Sequence, residues 1–550
     1  MRISRESQAR PGRRWLLVVC LSWLAVPWVV AAANAAPADP KAAQQAASDV
    51  QQYGSSAVTV VKPGDLVPPR LMPACRPGRC PYAGQTVTVL LPKSVIAVAV
   101  KELKDEYEAA TGATLQIVQV ASLDLFDNFY SDVAHGVGKY DALIASAWWL
   151  GELVAGNHII AYDRYYNDPR FPKWDIGEVL PAPRSLLSYG GKKYMVANDH
   201  DGQVLYYRRD LLADPQHRKA FRQKYGYALD VPRAWGQFRD IAEYFNGRDL
   251  NGDGVIGHGV TIALKAGNQG MFHFMSLSAP FVIGPDNPKL YWFDPQSMKP
   301  LIESPGHVRA LERLIELVRF GPREMLGWQS GQSWDYFLAG HAALTFSWGD
   351  LGALAQQQGS KVKGRIGVAH LPGTREYFSV AHGKWMKGDP VNRVGNTTGG
   401  SWAGVISRYS KAPEATYYLL ALMATREKST VYAARGWDGI DPGRRFHFLP
   451  PDGNAKIDDY LRAHWNEADV RDYLHAYFDN FSNPQQLPYL RIPGTYSYLQ
   501  ALNLHLAEAV NGQATAEGAL KAAALDFEEI TLRLGRAPQR RAYRTSLGLP

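Results

Sequence analysis

Cysteine is scarce in this sequence, with 3 residues among 550. A redox or metal role for cysteine needs CxxC spacing or further ligands, and neither is present. The metalloprotease motif HExxH is also missing, and the segment Gly399–Ala403, GGSWA, lacks the last Gly of the serine-hydrolase motif GxSxG. The sequence therefore carries no signature of a cysteine, zinc or serine active site.

Long apolar runs are absent after residue 33. The one run of that kind, Trp15–Ala33, follows two arginines and ends in an Ala-Asn-Ala cleavage pattern. This arrangement predicts a signal peptide over residues 1–35, cleaved near Ala35. The alternative is a membrane anchor, against which Pro27 and the Ala-rich exit argue. We therefore expect an exported, soluble mature protein located in the periplasm.

A strong excess of charge is absent as well. Residues 1–35 carry five arginines and one glutamate, so the formal charge of +8 falls to +4 without them. The basic residues are scattered, which argues against a nucleic-acid partner. The sequence does have many aromatic side chains, 15 Trp and 29 Tyr. Such abundance is typical of proteins that bind sugar rings and of proteins with large cores. The chain length predicts two or three domains or lobes.

Residues 36–83 have the composition of a flexible leader, rich in Ala, Gln and Pro, that ends in a small loop. Cys75 and Cys80 flank this loop, and Pro77-Gly78 between them forms a turn that can bring the two sulfur atoms together. In an exported protein this arrangement predicts a local disulfide.

Strand-like and helical patterns alternate after the leader. Strands are predicted over Thr86–Pro92, Thr114–Val120 and Tyr140–Ala147, with helices over Val95–Ala110 and Asp124–Gly136 between them. This alternation predicts the α/β class with a parallel, doubly wound sheet. Ligands bind such sheets beyond the carboxyl ends of the strands, and Trp148 and Trp149 directly follow the third strand. We expect one of the two rings to face a ligand; the alternative is a place in the core.

Two further strand-like runs, Tyr194–Ala197 and Val204–Arg208, are joined through the segment Asn-Asp-His-Asp-Gly. An Asp-x-Asp-Gly break between β-prone runs is a place where the chain turns and leaves carboxylates near the turn. The sequence pattern differs on the two sides of this break. We therefore predict that the chain crosses here from one lobe to another, with Asp199 and Asp201 in the cleft. The alternative is an ordinary surface hairpin.

A loop with a calcium-binding pattern follows in the second segment. Asp249, Asn251 and Asp253 occupy alternate positions, and Val255 stands where a backbone carbonyl would complete the first half of the site. The twelfth position is Val260 instead of Glu, so the bidentate ligand is missing. The two interpretations are a structural calcium site, either weak or completed by a distant carboxylate, and a metal-free Asx turn. No other cofactor is expected.

The remainder of the chain is predicted to be mixed at first and then largely helical. Ala342–Trp348 reads as a strand that ends in Trp348-Gly349-Asp350, which places a ring and a carboxylate at a strand end. The last third is predicted to be helical. Residues 536–550 are predicted to form a loose tail.

Several segments match the sequence of a known family, in the same order. They are the export signal with the strand–helix alternation to Trp149, Tyr194–Asp210, Val231–Ile241 (VPRAWGQFRDI), Phe337–Asp350 (FLAGHAALTFSWGD), Gly367–Pro372 followed by Gly399–Ala415 (GGSWAGVISRYSKAPEA), and Ile492–Leu520. Together they resemble the extracellular solute-binding proteins of bacterial ABC importers, in the maltose-binding-protein-like class that binds sugars and polyols, with some features of a glycerol-binding-like subset. The matches cover roughly residues 85–535. The departures are the leader with its disulfide loop and an insertion over residues 374–396.

This resemblance implies a two-lobe periplasmic-binding-protein fold of type II, each lobe a doubly wound sheet flanked by helices, with hinge crossings. One lobe is expected over residues 84–197 and about 374–430, and the other over residues 198–373 and about 431–535. The resemblance implies a non-enzymatic, monomeric component of an ABC importer. Such a protein captures a sugar, polyol or similar small solute and delivers it to permease subunits in the inner membrane.

Sugars present hydroxyl groups around apolar ring faces, so aromatic planes and carboxylates suit their recognition. The candidates for ring contact are Trp148, Trp149, Trp348, Trp402, Trp437 and Tyr496. The candidate acceptors are Asp199, Asp201, Asp350 and Asp438, with Ser401 beside Trp402 and Arg491 as a donor. The alternative for each residue is a core Trp or a surface Asp. Trp348 with Asp350 is the pair that the pattern favours most.

Two other functions fit the sequence. An exported hydrolase acting on saccharides would use Asp199 or Asp201 together with Asp350 as its two carboxylates. A periplasmic sensor or accessory binding protein would have the same fold without taking part in transport.

Overall fold

The structure, a computed structural model, describes residues 66–93, 97–121, 124–436 and 439–550. The predicted signal peptide, residues 36–65 of the leader, and Trp437 and Asp438 lie outside these residues, so what the sequence predicts for them stays a prediction. In the part of the chain that is described, no helix combines the length and the apolar character needed to cross a bilayer.

The strands are numbered in chain order. They are β1 (Thr86–Pro92), β2 (Thr114–Val120), β3 (Ala142–Ser146), β4 (Ile159–Ile160), β5 (Ser188–Tyr189), β6 (Lys192–Lys193), β7 (Val196–Ala197), β8 (Val204–Arg208), β9 (Arg248–Asp249), β10 (Ile256–Thr261), β11 (Ala342–Ser347), β12 (Ile366–Ala369), β13 (Thr374–Ser379), β14 (Lys384–Asn392) and β15 (Trp402–Ser407).

The helices are numbered in the same way. They are α1 (Ala97–Thr111), α2 (Leu125–Ala134), α3 (Leu150–Ala155), α4 (Asp163–Tyr166), α5 (Pro181–Leu186), α6 (Arg209–Ala213), α7 (Pro215–Tyr225), α8 (Trp235–Phe245), α9 (Gly270–Val282), α10 (Pro305–Val318), α11 (Ser330–Leu338), α12 (Asp350–Leu354), α13 (Pro413–Met423), α14 (Arg426–Arg435), α15 (Ile457–Arg462), α16 (Glu467–Ser482), α17 (Thr495–Val510), α18 (Ala516–Leu534) and α19 (Arg536–Ser546). Short 3₁₀ turns cover Ala147–Trp149, Ile176–Glu178, Arg323–Gly327 and Arg445–His447.

The first sheet has the strand order β2-β1-β3-β15-β4, and β7 also pairs with β15. Strand β1 pairs in parallel with β2 and with β3, which confirms the parallel α/β alternation predicted for this segment. Every residue of β3, Ala-Leu-Ile-Ala-Ser, is buried. A short run of apolar residues without polar alternation is expected for a strand that is covered on both faces.

The second sheet has the strand order β12-β8-β11-β10-β9. Strands β10 and β11 are parallel, whereas β8 lies antiparallel to both β11 and β12. Strand β11 is buried along its whole length, and helix α16 packs on β12. The two sheets with their helices form two lobes, as the sequence predicts.

In the described parts of the chain, three segments cross between the two sheets. Residues 198–203 lead from β7 to β8, residues 393–401 lead back to β15, and residues 439–466 belong to the connection from α14 on the first lobe to α16 on the second. The first two crossings are tied together, because the Asn396 side chain accepts from the Gln203 N–H at 2.8 Å and donates to the Gln203 carbonyl at 2.9 Å. The crossings therefore lie side by side.

The insertion over residues 374–396 is largely a β-hairpin of β13 and β14. The sequence assigns it to the first lobe, but β13 packs on α9 and α10 of the second lobe. The Asn392 side chain fixes this position by donating to the carbonyls of Pro280 and Ile283, both at 2.7 Å. Helix α14, whose end was assigned to the second lobe, belongs to the first: Arg435 is ion-paired with Glu102 on α1 at 3.0 Å.

The sequence predicts a flexible leader, but the part of it that is described, residues 66–83, packs against the first lobe. Leu66 and Tyr82 are buried. The Glu106 carboxylate on α1 accepts from the backbone N–H groups of Leu71 and Met72 at 2.7 and 2.9 Å. The predicted disulfide between Cys75 and Cys80 is present.

The prediction of a loose tail is also wrong, because residues 536–546 form helix α19. Tyr543 on this helix is fully buried, and its ring packs edge-on against Phe293 of the second lobe at 5.5 Å. The helix touches the first lobe as well, since the Tyr189 hydroxyl donates to the Ala542 carbonyl at 3.0 Å. One buried aromatic residue in a run of arginines gives too weak a periodic signal for sequence analysis.

Candidate functional site

A cavity of about 200 Å³ lies between the two lobes, beyond the strand ends. The 3₁₀ turn Ala147–Trp149 follows β3 and brings Trp148 and Trp149 to the cavity from the first lobe. Trp348 and Asp350 follow β11 and reach it from the second lobe. Since strand ends and crossings meet here, the cavity has the location that α/β sheets provide for ligands.

Aromatic rings form most of the walls. Trp148 and Trp149 lie with ring centroids 6.1 Å apart and planes 21° apart. Trp402 meets Trp149 edge-on at 6.1 Å, and Phe272 of the second lobe lies 5.6 Å from Trp148. Tyr496 stands 6.3 Å from Trp148 and is 48% exposed, so it lies at the mouth of the cavity. Rings from both lobes therefore enclose a space with flat apolar faces.

Trp348 is the most firmly held of these rings. Its indole N–H donates to the Thr398 carbonyl at 2.7 Å, and its own carbonyl accepts from the Tyr206 hydroxyl at 2.9 Å. Its ring lies edge-on to Phe272 at 6.0 Å. Trp348 thus joins the end of β11 to the second crossing.

Three carboxylates form a group that we call the carboxylate cluster: Asp199, Asp201 and Asp441. One oxygen of each lies within 4.8 Å of the others. Asp199 and Asp441 are 2% and 1% exposed, and Asp201 is half-buried at the cavity wall. Asp199 belongs to the first crossing and Asp441 to the third. The cluster therefore joins the crossings at the floor of the cavity.

Backbone and tyrosine donors hold the cluster in place. The Asp199 carboxylate accepts from the N–H groups of His200 and Asp441 at 2.6 and 2.8 Å. The Asp441 carboxylate accepts from the Gly349 N–H at 3.0 Å and from the Tyr477 hydroxyl at 2.8 Å. None of these donors is a basic side chain.

Burial raises the pKa of Asp199 well above its usual range, and the charge of Asp201 adds to the shift. Burial also raises the pKa of Asp201, followed by the charges of Asp441 and Asp350. The pKa of Asp441 is raised by burial and then by the charges of Asp350 and Asp199. Two unit charges 4.8 Å apart repel by about 3.5 kcal/mol at an effective dielectric constant of about 20. The cluster therefore favours holding protons or a cation.

The structure brings most of the sequence-predicted residues to one place. Among the predicted residues, those that line the cavity are Trp148, Trp149, Asp199, Asp201, Trp348, Asp350, Trp402 and Tyr496. Ser401 instead lies behind the wall, where its hydroxyl accepts from the Asp201 N–H at 3.0 Å. Arg491 is not a donor to the cavity, because its guanidinium donates to the carbonyls of Leu186, Ser188 and Ser546.

Sequence analysis missed several lining residues and the third member of the carboxylate cluster. Phe126, Phe272 and Gln500 lie on helices α2, α9 and α17, where an apolar or amide residue looks like any other helical position. Asp441 stands in the third crossing, which has no strand pattern. The only signal there was its place three residues after Asp438, the acid that the sequence singled out.

The calcium-like loop is satisfied internally. The Asp249 carboxylate accepts from the N–H groups of Gly252 and Gly254 at 2.8 and 2.9 Å. Asp253 accepts from the Val255 N–H at 2.8 Å and contacts the His341 ring at 2.9 Å. The hydrogen bond from His341 and that from Val255 lower the pKa of Asp253 to about 2. Such contacts are those of an Asx turn, so calcium binding here stays a prediction.

Two lobes, three adjacent crossings and an aromatic cavity between them define a two-lobed binding protein. The sequence model of the bacterial extracellular solute-binding protein family matches residues 93–428. The chain belongs to this family. A curated relative, described as a probable ABC transporter-binding protein of Deinococcus radiodurans, is 24% identical over 329 residues, which cover 57% of this chain and 66% of the relative.

Solved structures of solute-binding proteins share the fold. The Agrobacterium radiobacter protein in complex with ribitol has a TM-score of 0.63 at 18% identity, covering 82% of this chain and all of that one. The Agrobacterium vitis protein with bound D-mannitol has a TM-score of 0.60 at 19% identity, covering 82% of this chain and 99% of that one. Maltose-bound MalE3 of T. maritima has a TM-score of 0.59 at 19% identity, covering 81% of this chain and all of that one. These similarities confirm the type II two-lobe fold.

Proposed function

We propose that this protein is the substrate-binding component of an ABC importer, and that it captures a sugar- or polyol-like solute between its lobes. The observation that carries the proposal is the cavity in which rings from both lobes face a floor of carboxylates. Aromatic planes cover apolar ring faces, and carboxylates accept from hydroxyl or ammonium groups. The family and the bound solutes of the similar structures support this choice.

The size of the cavity favours a small solute. Its volume of about 200 Å³ lies below the roughly 300–1,000 Å³ of pockets that hold drug-sized ligands. A single sugar ring or one polyol chain suits this space better than an oligosaccharide. Among the similar structures, the ribitol and D-mannitol complexes contain solutes of this size.

The proposal includes export and a membrane partner. The protein reaches the periplasm after cleavage near Ala35, and works as a monomer that delivers its solute to ABC permease subunits. Mass spectrometry of the protein purified from the periplasm tests the cleavage position. Loss of uptake of the identified solute on deletion of the gene tests the transport role, and retained uptake would favour a sensor or accessory protein.

The direct test of solute capture is thermal unfolding of the purified protein against sugars and polyols. A solute at a hundredfold excess over its dissociation constant adds about 2.7 kcal/mol to the free energy of unfolding. We expect stabilisation by a narrow set of solutes, with the solute recovered unchanged. Formation of a product would contradict the proposal and favour the saccharide hydrolase.

A further inference from the structure

Basic side chains are missing from the cavity, whereas carboxylates are abundant. Asp127, Asp199, Asp201 and Asp350 line it, and none of the described lining residues is Lys, Arg or His. Asp441, the third member of the carboxylate cluster, lies directly behind them. The walls therefore offer negative charge from several sides and no positive charge of their own.

Two buried guanidinium groups belong to the same part of the molecule but are engaged elsewhere. Arg444 donates to the carbonyls of Ala197, at 2.8 Å, and Ala424. Arg491 donates to the Leu186 carbonyl at 3.1 Å. Within the described residues neither forms an ion pair with a member of the carboxylate cluster. The positive charge that would compensate the cluster is thus not supplied by these side chains.

An independent observation points to an occupant of the cavity. The ring of Trp148 lines the cavity, and its buried indole N–H has no hydrogen-bond partner among the described residues. Buried polar groups usually have a partner, so this N–H is a candidate to donate to a hydroxyl group of the solute.

We propose, resting on the proposed function, that the solute is cationic: a small sugar or polyol that carries a protonated amine. The ammonium group would lie over the carboxylate cluster, where its three N–H donors meet carboxylate oxygens. The carbon skeleton would lie between the rings of Trp148, Trp402 and Phe272. Aromatic faces also attract an ammonium group, so the rings of the walls and the carboxylates of the floor both favour a cationic solute.

A neutral polyol fits the same space less well. Its hydroxyl groups can donate to the carboxylates, but they bring no positive charge, so the cluster would have to keep bound protons to relieve its mutual repulsion. A bare metal ion would satisfy the charge and leave the aromatic walls without an apolar partner. Among the described residues, the titratable groups that face the cluster are Asp350 and the hydroxyls of Tyr206, Tyr473, Tyr477 and Tyr489, and none of them is a cation at neutral pH.

The test compares solutes that differ only in the amine. Isothermal titration calorimetry and thermal unfolding of the full mature protein would be run with D-glucosamine against D-glucose, D-galactosamine against D-galactose, and D-glucamine against D-sorbitol. The pH would be about 6.5, below the range in which α-amino groups lose their proton. We expect the amine member of at least one pair to bind at least about tenfold more tightly, the difference expected of a charge-assisted hydrogen bond.

Asp201→Asn provides the second arm. It should remove most of the preference for the amine within the best pair, while Asp458→Asn, an exposed carboxylate on α15, should keep it. The comparison of amine and neutral solutes on the unaltered protein does not depend on how this variant folds.

The outcomes separate the two proposals. Equal or tighter binding of the neutral members would overturn the amine proposal and leave solute capture intact. Binding of no sugar, polyol or amine derivative would overturn both. Stabilisation by Ca²⁺ or Mg²⁺ alone, to the extent expected for the amine, would assign the cluster to a metal ion and overturn the amine proposal.

Discussion

At the scale of single residues, the carboxylate cluster is the feature that most affects the behaviour of the protein without ligand. Asp199 and Asp441 are almost completely buried, and the charges that act on them are those of other carboxylates. A buried acid whose pKa is raised favours the protonated form. The folded state therefore holds protons that the unfolded chain releases.

The first prediction concerns stability against pH. Because the folded state binds more protons than the unfolded state above the ordinary Asp pKa, the free energy of unfolding should fall as pH rises, by up to about 1.4 kcal/mol per pH unit for each such proton. Asp201→Asn should make this slope shallower and stabilise the ligand-free protein at neutral pH. Urea unfolding between about pH 5 and 8 measures it.

The control for this experiment is Asp458→Asn, which changes an exposed carboxylate and should keep the slope of the unaltered protein. An Asp201→Asn slope equal to that of the unaltered protein would contradict the raised pKa at this position.

The second prediction concerns the aromatic walls. Trp402→Ala should weaken binding of the identified solute by about tenfold or more, since the ring lines the cavity and braces Trp149. Trp385→Ala removes a partly exposed ring from β14 that does not line the cavity, and should leave the affinity unchanged. Calorimetric titration of both variants measures the effect. Equal affinities for the two variants would place the solute away from Trp402.

Trp402 is chosen because the structure changes the importance of the residue that the sequence favoured most. Trp348 is 5% exposed and holds Thr398 and Tyr206 by hydrogen bonds. Its removal would disturb the second crossing as well as the cavity. Sequence analysis could place Trp348 at a strand end, but the hydrogen bonds that make it structural come from residues distant in the chain.

At the scale of elements, local patterns predict strands and fail where an element depends on a distant surface. The strands β1, β2 and β3 were predicted because short β-prone runs alternate with helical patterns in this segment. The position of the β13–β14 hairpin was not predicted. It depends on hydrogen bonds from the Asn392 side chain to the carbonyl of Pro280 in α9 and to that of Ile283 directly after this helix. Helix α19 was missed for the same reason, because its stability comes from burying Tyr543.

The third prediction concerns the loop from Asp249 to Val255. If calcium binds there, the missing carboxylate at Val260 makes the site weak, with a dissociation constant of about 10⁻⁴–10⁻³ M. A tenfold excess of Ca²⁺ over that constant should then raise the free energy of unfolding by about 1.4 kcal/mol. Asp249→Asn should abolish the effect. Thermal unfolding with Ca²⁺ and with a chelator measures it, and identical curves would favour the metal-free Asx turn.

At the scale of the whole molecule, the proposed capture of a solute between the lobes is coupled to closure of the lobes. Trp148 belongs to the first lobe and Phe272 to the second, and both lie at the cavity. A solute that contacts both lobes binds the closed state more tightly than the open state and shifts the population towards closure. The sequence predicted the first crossing from a change of pattern and further crossings from the family resemblance alone, but it could not predict that the carboxylate cluster unites them.

The fourth prediction tests this coupling at Gly399. Its φ of 111° is unfavourable for other residues, and an added methyl group would lie 2.6 Å from the Trp348 indole nitrogen. Gly399→Ala should therefore weaken solute binding by about tenfold or more. It should also reduce the decrease in radius of gyration that small-angle X-ray scattering records when solute is added.

Gly383→Ala is the matched control. Gly383 also has a positive φ, of 62°, but lies in the β13–β14 turn with no heavy atom within 4 Å of an added methyl group. It should bind and close like the unaltered protein. If both variants lose affinity equally, backbone strain alone is responsible and the close approach at Gly399 has no part in closure.

The helix α19 has a practical consequence. It is anchored to the second lobe through Tyr543 and to the first through Tyr189. A dye attached to its outer surface would experience a different environment when the lobes separate, whereas a dye on the docked residues 66–83 would travel with one lobe. The carboxyl-terminal helix is thus the place to install a fluorescent reporter, and a poor place for a bulky fusion partner that must leave the hinge free to move.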